Sequence, residues 1–187
     1  MYAMNQFRKG LKIEIEGVPY SVVDFQHVSP GKGSAFTRTK LRNMLNGNVI
    51  ERTFKSNDKV DRANMEIKEM QFLYKDAVGF AFMDLKSYEQ TIISDETIGE
   101  GKDFLKENIQ VQVMIYNDRP IGVELPNFVE LKVVRTEPGI RGDTASGGGK
   151  PATVESGAVV TVPFHIKEGD MIKVDTRDGS YNEKVNK

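Results

Sequence analysis

The chain has 187 residues, with 26 Lys and Arg against 27 Asp and Glu, 39% hydrophobic residues, 17 Gly, 7 Pro and neither Cys nor Trp. That length suits one ordinary domain or a few small ones, and the missing cysteine excludes disulfide frameworks, thiolate zinc sites, iron–sulfur clusters and cysteine nucleophiles. A formal net charge of −1 argues at first against a nucleic-acid partner, but a net value says nothing about distribution.

Met1–Gly10 has no apolar core of a secretory signal. The longest run without a polar side chain, Ala77–Met83, is seven residues, where a spanning helix needs about 20. No membrane partner is therefore expected, and a reducing compartment suits the composition. Leu11–Glu16 alternates apolar and charged residues, which predicts a half-buried strand, and the same period of two recurs over 65–68, 109–116, 129–133 and 171–175. Turn chemistry lies between these runs, at Gly17, Pro30-Gly31, Asn46-Gly47, Lys75-Asp76, Asp118-Arg119-Pro120, Pro138-Gly139, Gly169-Asp170 and Asp178-Gly179. Many short strands joined by tight turns predict an all-β chain of small barrels or sandwiches. One short helix is expected near Lys102–Asn108, with Phe104 and Leu105 tucked beneath a barrel.

Charge divides the chain more sharply than hydropathy. Residues 1–63 carry a net +5, residues 64–127 a net −6 and residues 128–187 a net 0. Together with the polar stretch Ser56–Asn64 and Pro126-Asn127, this predicts domains at 1–63, 64–127 and 128–187. Segments of about 60 residues lie near the lower limit for an autonomous core, which favours compact barrels. Three such modules in a row would span about 75 to 80 Å, an elongated rod.

Enzyme motifs fail on spacing. Gly31-Lys32 and Gly149-Lys150 both lack the upstream Gly and downstream Ser or Thr of a P-loop, and Gly99-x-Gly101 lacks the third glycine of a dinucleotide fingerprint. The two histidines, His27 and His165, stand apart from each other and from any ligand pair, so no metal, cofactor or catalytic residue is expected.

The most informative local feature is 28–35, Val-Ser-Pro-Gly-Lys-Gly-Ser-Ala. Pro30 presets one backbone angle, Gly31 and Gly33 permit positive φ, and neither glycine puts a side chain beside Lys32. Such a tip presents one ammonium alone, suited to phosphate or to covalent modification. In the following run, Arg38, Lys40 and Arg42 alternate and so share one face of a strand, while Lys9, Lys12, Arg52, Lys55 and Lys59 add charge to the same segment. Like charges stacked on one face call for a negative partner such as a phosphate backbone. Neutralising about four phosphates would give a slope near −3 to −3.6 of log K against log salt. Farther on, 138–151 holds five glycines in fourteen residues; Arg141, Asp143, Thr144 and Lys150 offer donors and acceptors there on flexible backbone. Phe72, Tyr74, Phe80 and Phe82 alternate along strands, as a core lining or as a platform for stacked bases.

These residues resemble the bacterial elongation factor P family. The tip Pro30-Gly31-Lys32-Gly33, then Ala35-Phe36, the basic strand and Thr53–Ser56, is similar to its first domain. Pro126–Leu131, Pro138-Gly139 with Gly142–Ala145, Gly149–Pro163 and Gly169–Arg177 resemble its third. The resemblance implies an SH3-like, KOW-type domain followed by two OB-folds in an elongated, tRNA-like arrangement. It implies a non-enzymatic, monomeric, cytoplasmic translation factor whose partners are the ribosome, the peptidyl-tRNA and a lysine-modifying enzyme, and which relieves stalls at consecutive prolines. Lys32 is then the tip residue, open to covalent modification. Arg38, Lys40, Arg42 and Lys55 are the tRNA- and rRNA-binding residues, and Gly142, Asp143 and Thr144 form the loop near the exit-site codon. A diverged paralogue using its OB-folds for general RNA binding is the alternative.

Overall fold

The computed structural model describes residues 1–139 and 148–186. Three antiparallel sheets account for most of them. The first contains β1 (Tyr2–Ala3), β2 (Lys12–Ile15), β3 (Val18–Val28), β4 (Phe36–Asn43), β5 (Val49–Lys55) and β6 (Lys59–Arg62), in the order β1-β6-β2-β3-β4-β5. The second contains β7 (Met65–Lys75), β8 (Phe80–Asp84), β9 (Gln90–Ile93), β10 (Gln110–Tyr116) and β11 (Arg119–Glu124), in the order β11-β10-β7-β8-β9. The third contains β12 (Phe128–Thr136), β13 (Lys150–Val154), β14 (Val159–Val162), β15 (Met171–Asp175) and β16 (Ser180–Lys184), in the order β14-β13-β12-β15-β16. Its edge strands β14 and β16 come back against each other, which curls the sheet toward closure. The all-β expectation holds, and each alternating run of the sequence lies in a strand.

Alternation explains the cores. Along β4 the odd-numbered Thr37, Thr39 and Leu41 are buried and the even-numbered neighbours exposed; along β12 Val129, Leu131 and Val133 are buried between exposed residues. Ile13, Val22, Leu41, Phe54 and Val60 form one core with Met4, Phe7 and Leu11, while Leu131, Val133, Val154, Val160, Ile166 and Ile172 lie in another. Two hairpins turn on two residues that both take positive φ, Glu16-Gly17 and Asn117-Asp118, the geometry that matches the twist of the flanking strands. The second turn lies one residue earlier than Asp118-Arg119-Pro120, because Arg119 and Pro120 already belong to β11.

The described residues fall into two compact units that do not follow chain order. One comprises Met1–Glu66 and Met114–Ile121, the other Ile67–Val113 and Gly122–Lys187. Within the first, the phenol of Tyr116 donates to Glu14 Oε2 at 2.6 Å and lies 3.2 Å from the carbonyl of Gly17. That acidic partner, with burial, raises the Tyr116 pKa above its ordinary value.

The helix falls earlier than Lys102–Asn108. It runs as α1 (Asp95–Ile98) and continues as a 3₁₀ turn over Gly99–Phe104. Ser94 caps it, its Oγ accepting from Thr97 N, and Asp95 and Glu96 occupy the first turn where the helix dipole favours carboxylates. Leu105 is buried, whereas Phe104 packs against the core of the third sheet and meets the turn at Gly179.

The aromatic set divides. Phe72, Phe80 and Phe82 are buried and mutually packed, with ring centroids 5.8 and 5.5 Å from Phe72. A bulge at Leu73 shifts the β7–β8 register between Phe72 and Tyr74, and Tyr74 is exposed. These four residues therefore present no common face to stacked bases.

Asp84 ends β8 with a buried carboxylate that accepts from the backbone N–H groups of Lys86 (2.7 Å) and Ser87 (3.2 Å). Those bonds, with Lys68 3.7 Å away, hold its pKa below the ordinary carboxylate value. Its stabilisation is present above the unfolded-state pKa and is lost as pH falls through the lower folded-state value. Asp84→Asn keeps an acceptor for the turn, so urea titrations from pH 7 down to about 3 are expected to show a flatter acid limb for the variant. Asp84→Ala, which removes the acceptor, is expected to lower the midpoint at pH 7 as well.

Candidate nucleic-acid interface

β3 and β4 pair from Tyr20↔Asn43 to Val28↔Phe36, so residues 29–35 connect the strands beyond the last pair. The hairpin buries Val22 and Leu41 at its base, but farther out its inner side is lined by hydroxyls. Thr39 Oγ1 donates to the carbonyl of Arg52 at 2.6 Å, and Thr37 Oγ1 lies 2.7 Å from His27 Nδ1. The Phe25 ring meets His27 edge-on at 5.4 Å. The stem combines these polar bonds with buried Phe54, opposite Thr37, and half-buried Phe25, opposite Thr39, and this is where the structure places His27.

Residues 29–34 are all exposed. Lys32 stands at this tip with no ion pair or hydrogen bond among the described residues. The flanking glycines are not equivalent. Gly33 takes φ +113°, a backbone that side chains disfavour, whereas Gly31 lies outside that region and has nothing within 4 Å of where a Cβ would stand. The fold requires glycine at 33 and not at 31. Pro30 packs its ring 3.8 Å from the Cβ position of Gly33.

Below the tip, Arg38, Lys40 and Arg42 are exposed on one face of β4, as their alternation predicts. The register sets each in a cross-strand row. Arg38 lies between Gln26 and Thr53, and Arg42 between Ser21 and Val49. Lys40 lies between Asp24 and Glu51, with Glu51 Oε1 3.9 Å from its ammonium. A bulge at Val23 places Asp24 opposite Lys40. Asp24 in turn lies 3.1 Å from Lys9 Nζ, and the hydrogen bond and charge of Lys9 are the main causes of its lowered pKa, with Lys40 a smaller one. Arg38, Arg42 and Lys55 have no side-chain ion pair or hydrogen bond among the described residues. The two acids are the residues missed in the sequence, because nothing in it fixes which residue of β3 or β5 faces Lys40.

Arg141, Gly142, Asp143 and Thr144 lie outside the described residues. Both approaches to that stretch are tight: a Cβ on Gly139 would stand 2.8 Å from the carbonyl of Phe164, and one on Gly149 2.5 Å from that of Val162. Lys150 is not a flexible-loop donor. It opens β13, is buried, and donates from Nζ to the carbonyl of Glu137 at 2.6 Å. Among the described residues no group of acids and histidines is arranged to hold a metal ion, and no helix is long and apolar enough to cross a membrane.

Three family descriptions match in order: the elongation factor P KOW-like domain over residues 3–60, its OB domain over 65–123 and its C-terminal domain over 129–184. The elongation factor P of Pelotomaculum thermopropionicum is 54% identical over 185 residues, covering 99% of this chain and 100% of its own length. The chain belongs to the elongation factor P family. The family member from Campylobacter fetus is 52% identical, covering 100% of this chain and 98% of its own. Among solved structures, the eukaryotic translation initiation factor 5A from Methanococcus jannaschii superposes with a TM-score of 0.56 at 23% identity, over 64% of this chain and 88% of that one. At that identity the likeness concerns the fold. With the family shown, the chain is a translation elongation factor built of a KOW-like and OB-type barrels.

The two glycines of the tip give a direct check. Gly33→Ala is expected to cost about 1 kcal/mol, the strain of a side chain at positive φ, while Gly31→Ala leaves the urea midpoint within error. Equal midpoints for both variants would contradict the assignment of glycine to conformation at 33 alone.

Proposed function

We propose that the chain binds the ribosome beside the peptidyl-tRNA and speeds peptide-bond formation at consecutive prolines. The observation that carries this reading is Lys32, exposed and unpaired at the end of a hairpin whose outer face bears Arg38 and Arg42. In this reading the barrels over 1–63, 64–127 and 128–187 act as one monomeric cytoplasmic factor. Domain one lies along the acceptor arm, and Lys32 reaches the peptidyl-transferase centre, lengthened by a modifying enzyme. Gly142, Asp143 and Thr144 approach the exit-site codon. Arg38, Arg42 and Lys55 supply phosphate contacts that position without reading sequence, and Lys40 lies on the same face between Asp24 and Glu51.

The chemistry requires order and no proton donor. Proline attains the approach geometry of a nucleophile with difficulty, and a factor that restricts the peptidyl-tRNA supplies part of the barrier as entropy already spent. A Schiff-base role would want Lys32 in a desolvated pocket, and its exposure at a bare tip provides the opposite.

Lys32→Ala is expected to keep ribosome affinity within a few fold while abolishing synthesis of a reporter containing a run of prolines, measured in a reconstituted translation system. Unchanged reporter synthesis would refute the role of the tip. Intact-mass measurement of the protein from its native host is expected to show added mass at Lys32, and an unmodified mass removes the modifying enzyme from the reading.

A further inference from the structure

The outer face of β3, β4 and β5 is not a uniform basic strip. Its rows run Gln26–Arg38–Thr53, Asp24–Lys40–Glu51 and Ser21–Arg42–Val49. Over these three strands the outer two rows each carry one cation among neutral neighbours, and the Arg42 row continues onto β2 with Lys12, which donates to Ser21 Oγ at 2.9 Å and so adds a second cation with no acid beside it in the row. The central row carries acid, base, acid, and Lys9 extends it beyond Asp24. Arg38 and Arg42 are four residues apart on one strand, or about 13 Å at the usual rise.

We propose that Asp24 and Glu51 occupy the place of phosphates at the centre of this face, so that RNA is gripped by Arg38 and Arg42 and only lightly by Lys40. The inference rests on the RNA-binding reading of this face given above, and adds which residues carry it and which restrain it. A phosphate that approaches Lys40 also approaches Glu51, 3.9 Å from the same ammonium. Attraction and repulsion at comparable distances nearly cancel. The Lys40–Glu51 pair is half exposed, with 55% and 65% of the side-chain surfaces accessible, so it is not a locked contact and holds by field more than by bond. A cation already compensated by a fixed carboxylate also collects fewer mobile counterions, and therefore releases fewer when RNA arrives. Arg38 and Arg42 have no such compensation, and their planar guanidinium groups match phosphate oxygens in pairs.

Such a face orients an RNA backbone at two fixed points without accumulating grip between them. Sequence-independent affinity grows with every phosphate neutralised, and a factor that must leave its site after each use is served by a limit on that growth. The bulge at Val23 is the backbone device that supplies half of the limit, since it sets a carboxylate opposite Lys40 where unbroken pairing would set a valine.

The test uses the full chain and a short RNA hairpin with a single-stranded 3′ end, with binding read by fluorescence anisotropy across a salt series. Arg38→Gln and Arg42→Gln are each expected to weaken binding several fold and to flatten the slope of log K against log salt by about 0.9. Lys40→Gln is expected to change affinity less than about twofold. Glu51→Gln, on an exposed site that keeps the side chain's shape, is expected to tighten binding several fold and to steepen the slope by up to about 0.9. That gain should disappear in the double variant Lys40→Gln/Glu51→Gln. Thermal midpoints of all variants within a few degrees of the parent establish that each is folded. The inference is overturned if Lys40→Gln weakens binding as much as the arginine variants while Glu51→Gln does nothing, or if the Glu51→Gln gain persists without Lys40; either result leaves the RNA reading standing. Unchanged binding in Arg38→Gln, Lys40→Gln and Arg42→Gln alike removes the RNA reading of the face, and the inference with it.

Discussion

The pairing of β3 with β4 is the constraint on which the rest of the first sheet depends. Side chains alternate with a period of two, so one register decides at once what is buried, what is bonded inside the stem and what faces outward. Tyr20↔Asn43 through Val28↔Phe36 sends Val22 and Leu41 to the core, Thr37 and Thr39 to the hydroxyl-lined stem, and Arg38, Lys40 and Arg42 to solvent. A slip of one residue would bury three cations and expose Leu41. The stem needs little apolar packing beyond Phe25 and Phe54, because its inner hydroxyls are satisfied within the hairpin and by the carbonyl of Arg52. A projecting hairpin can thus be ordered without presenting a greasy flank to solvent.

Much of this was legible in the sequence, because alternation and turn chemistry are local. The β4 face, the exposed tip and, in the third sheet, β12 and β15 follow from period two and from Gly and Pro positions alone. What was not legible is what one strand sees of the next. Asn46-Gly47 reads as a two-residue turn, which would set Arg42 opposite Glu51. The loop is longer: Asn43 accepts from Leu45 N and Asn46 N through its side chain and from Gly47 N through its carbonyl, and the register moves so that Lys40 faces Glu51. Bulges at Val23 and Leu73 are equally silent in a single sequence, yet one recruits Asp24 and the other turns Tyr74 away from Phe72. The helix lies earlier than the apolar pair Phe104 and Leu105 suggests, because a Ser94 cap followed by two acids sets its start. The segment containing Gly142, Asp143 and Thr144 lies beyond what the structure describes.

The net charge of −1 now has a resolved meaning at two scales. Along the chain it conceals a basic first third and an acidic second. Within the basic third it conceals a further cancellation, row by row across three strands, that total charge and segment charge both miss. Electrostatic readings of a sequence therefore improve only when register is known, since register decides which opposite charges are neighbours.

The bond from Tyr116 to Glu14 joins residues 102 positions apart. The first compact unit includes Met114–Ile121, although its sheet and core come from residues 2–62, so a fragment ending near residue 63 keeps that sheet and core and loses the Tyr116 bond. The same holds during synthesis. The amino-terminal sheet and its core can form before Tyr116 is made, and the bond to Glu14, which closes a long loop, comes later. The nascent factor therefore emerges with the carboxylate of Glu14 awaiting a phenol that is made 102 residues later.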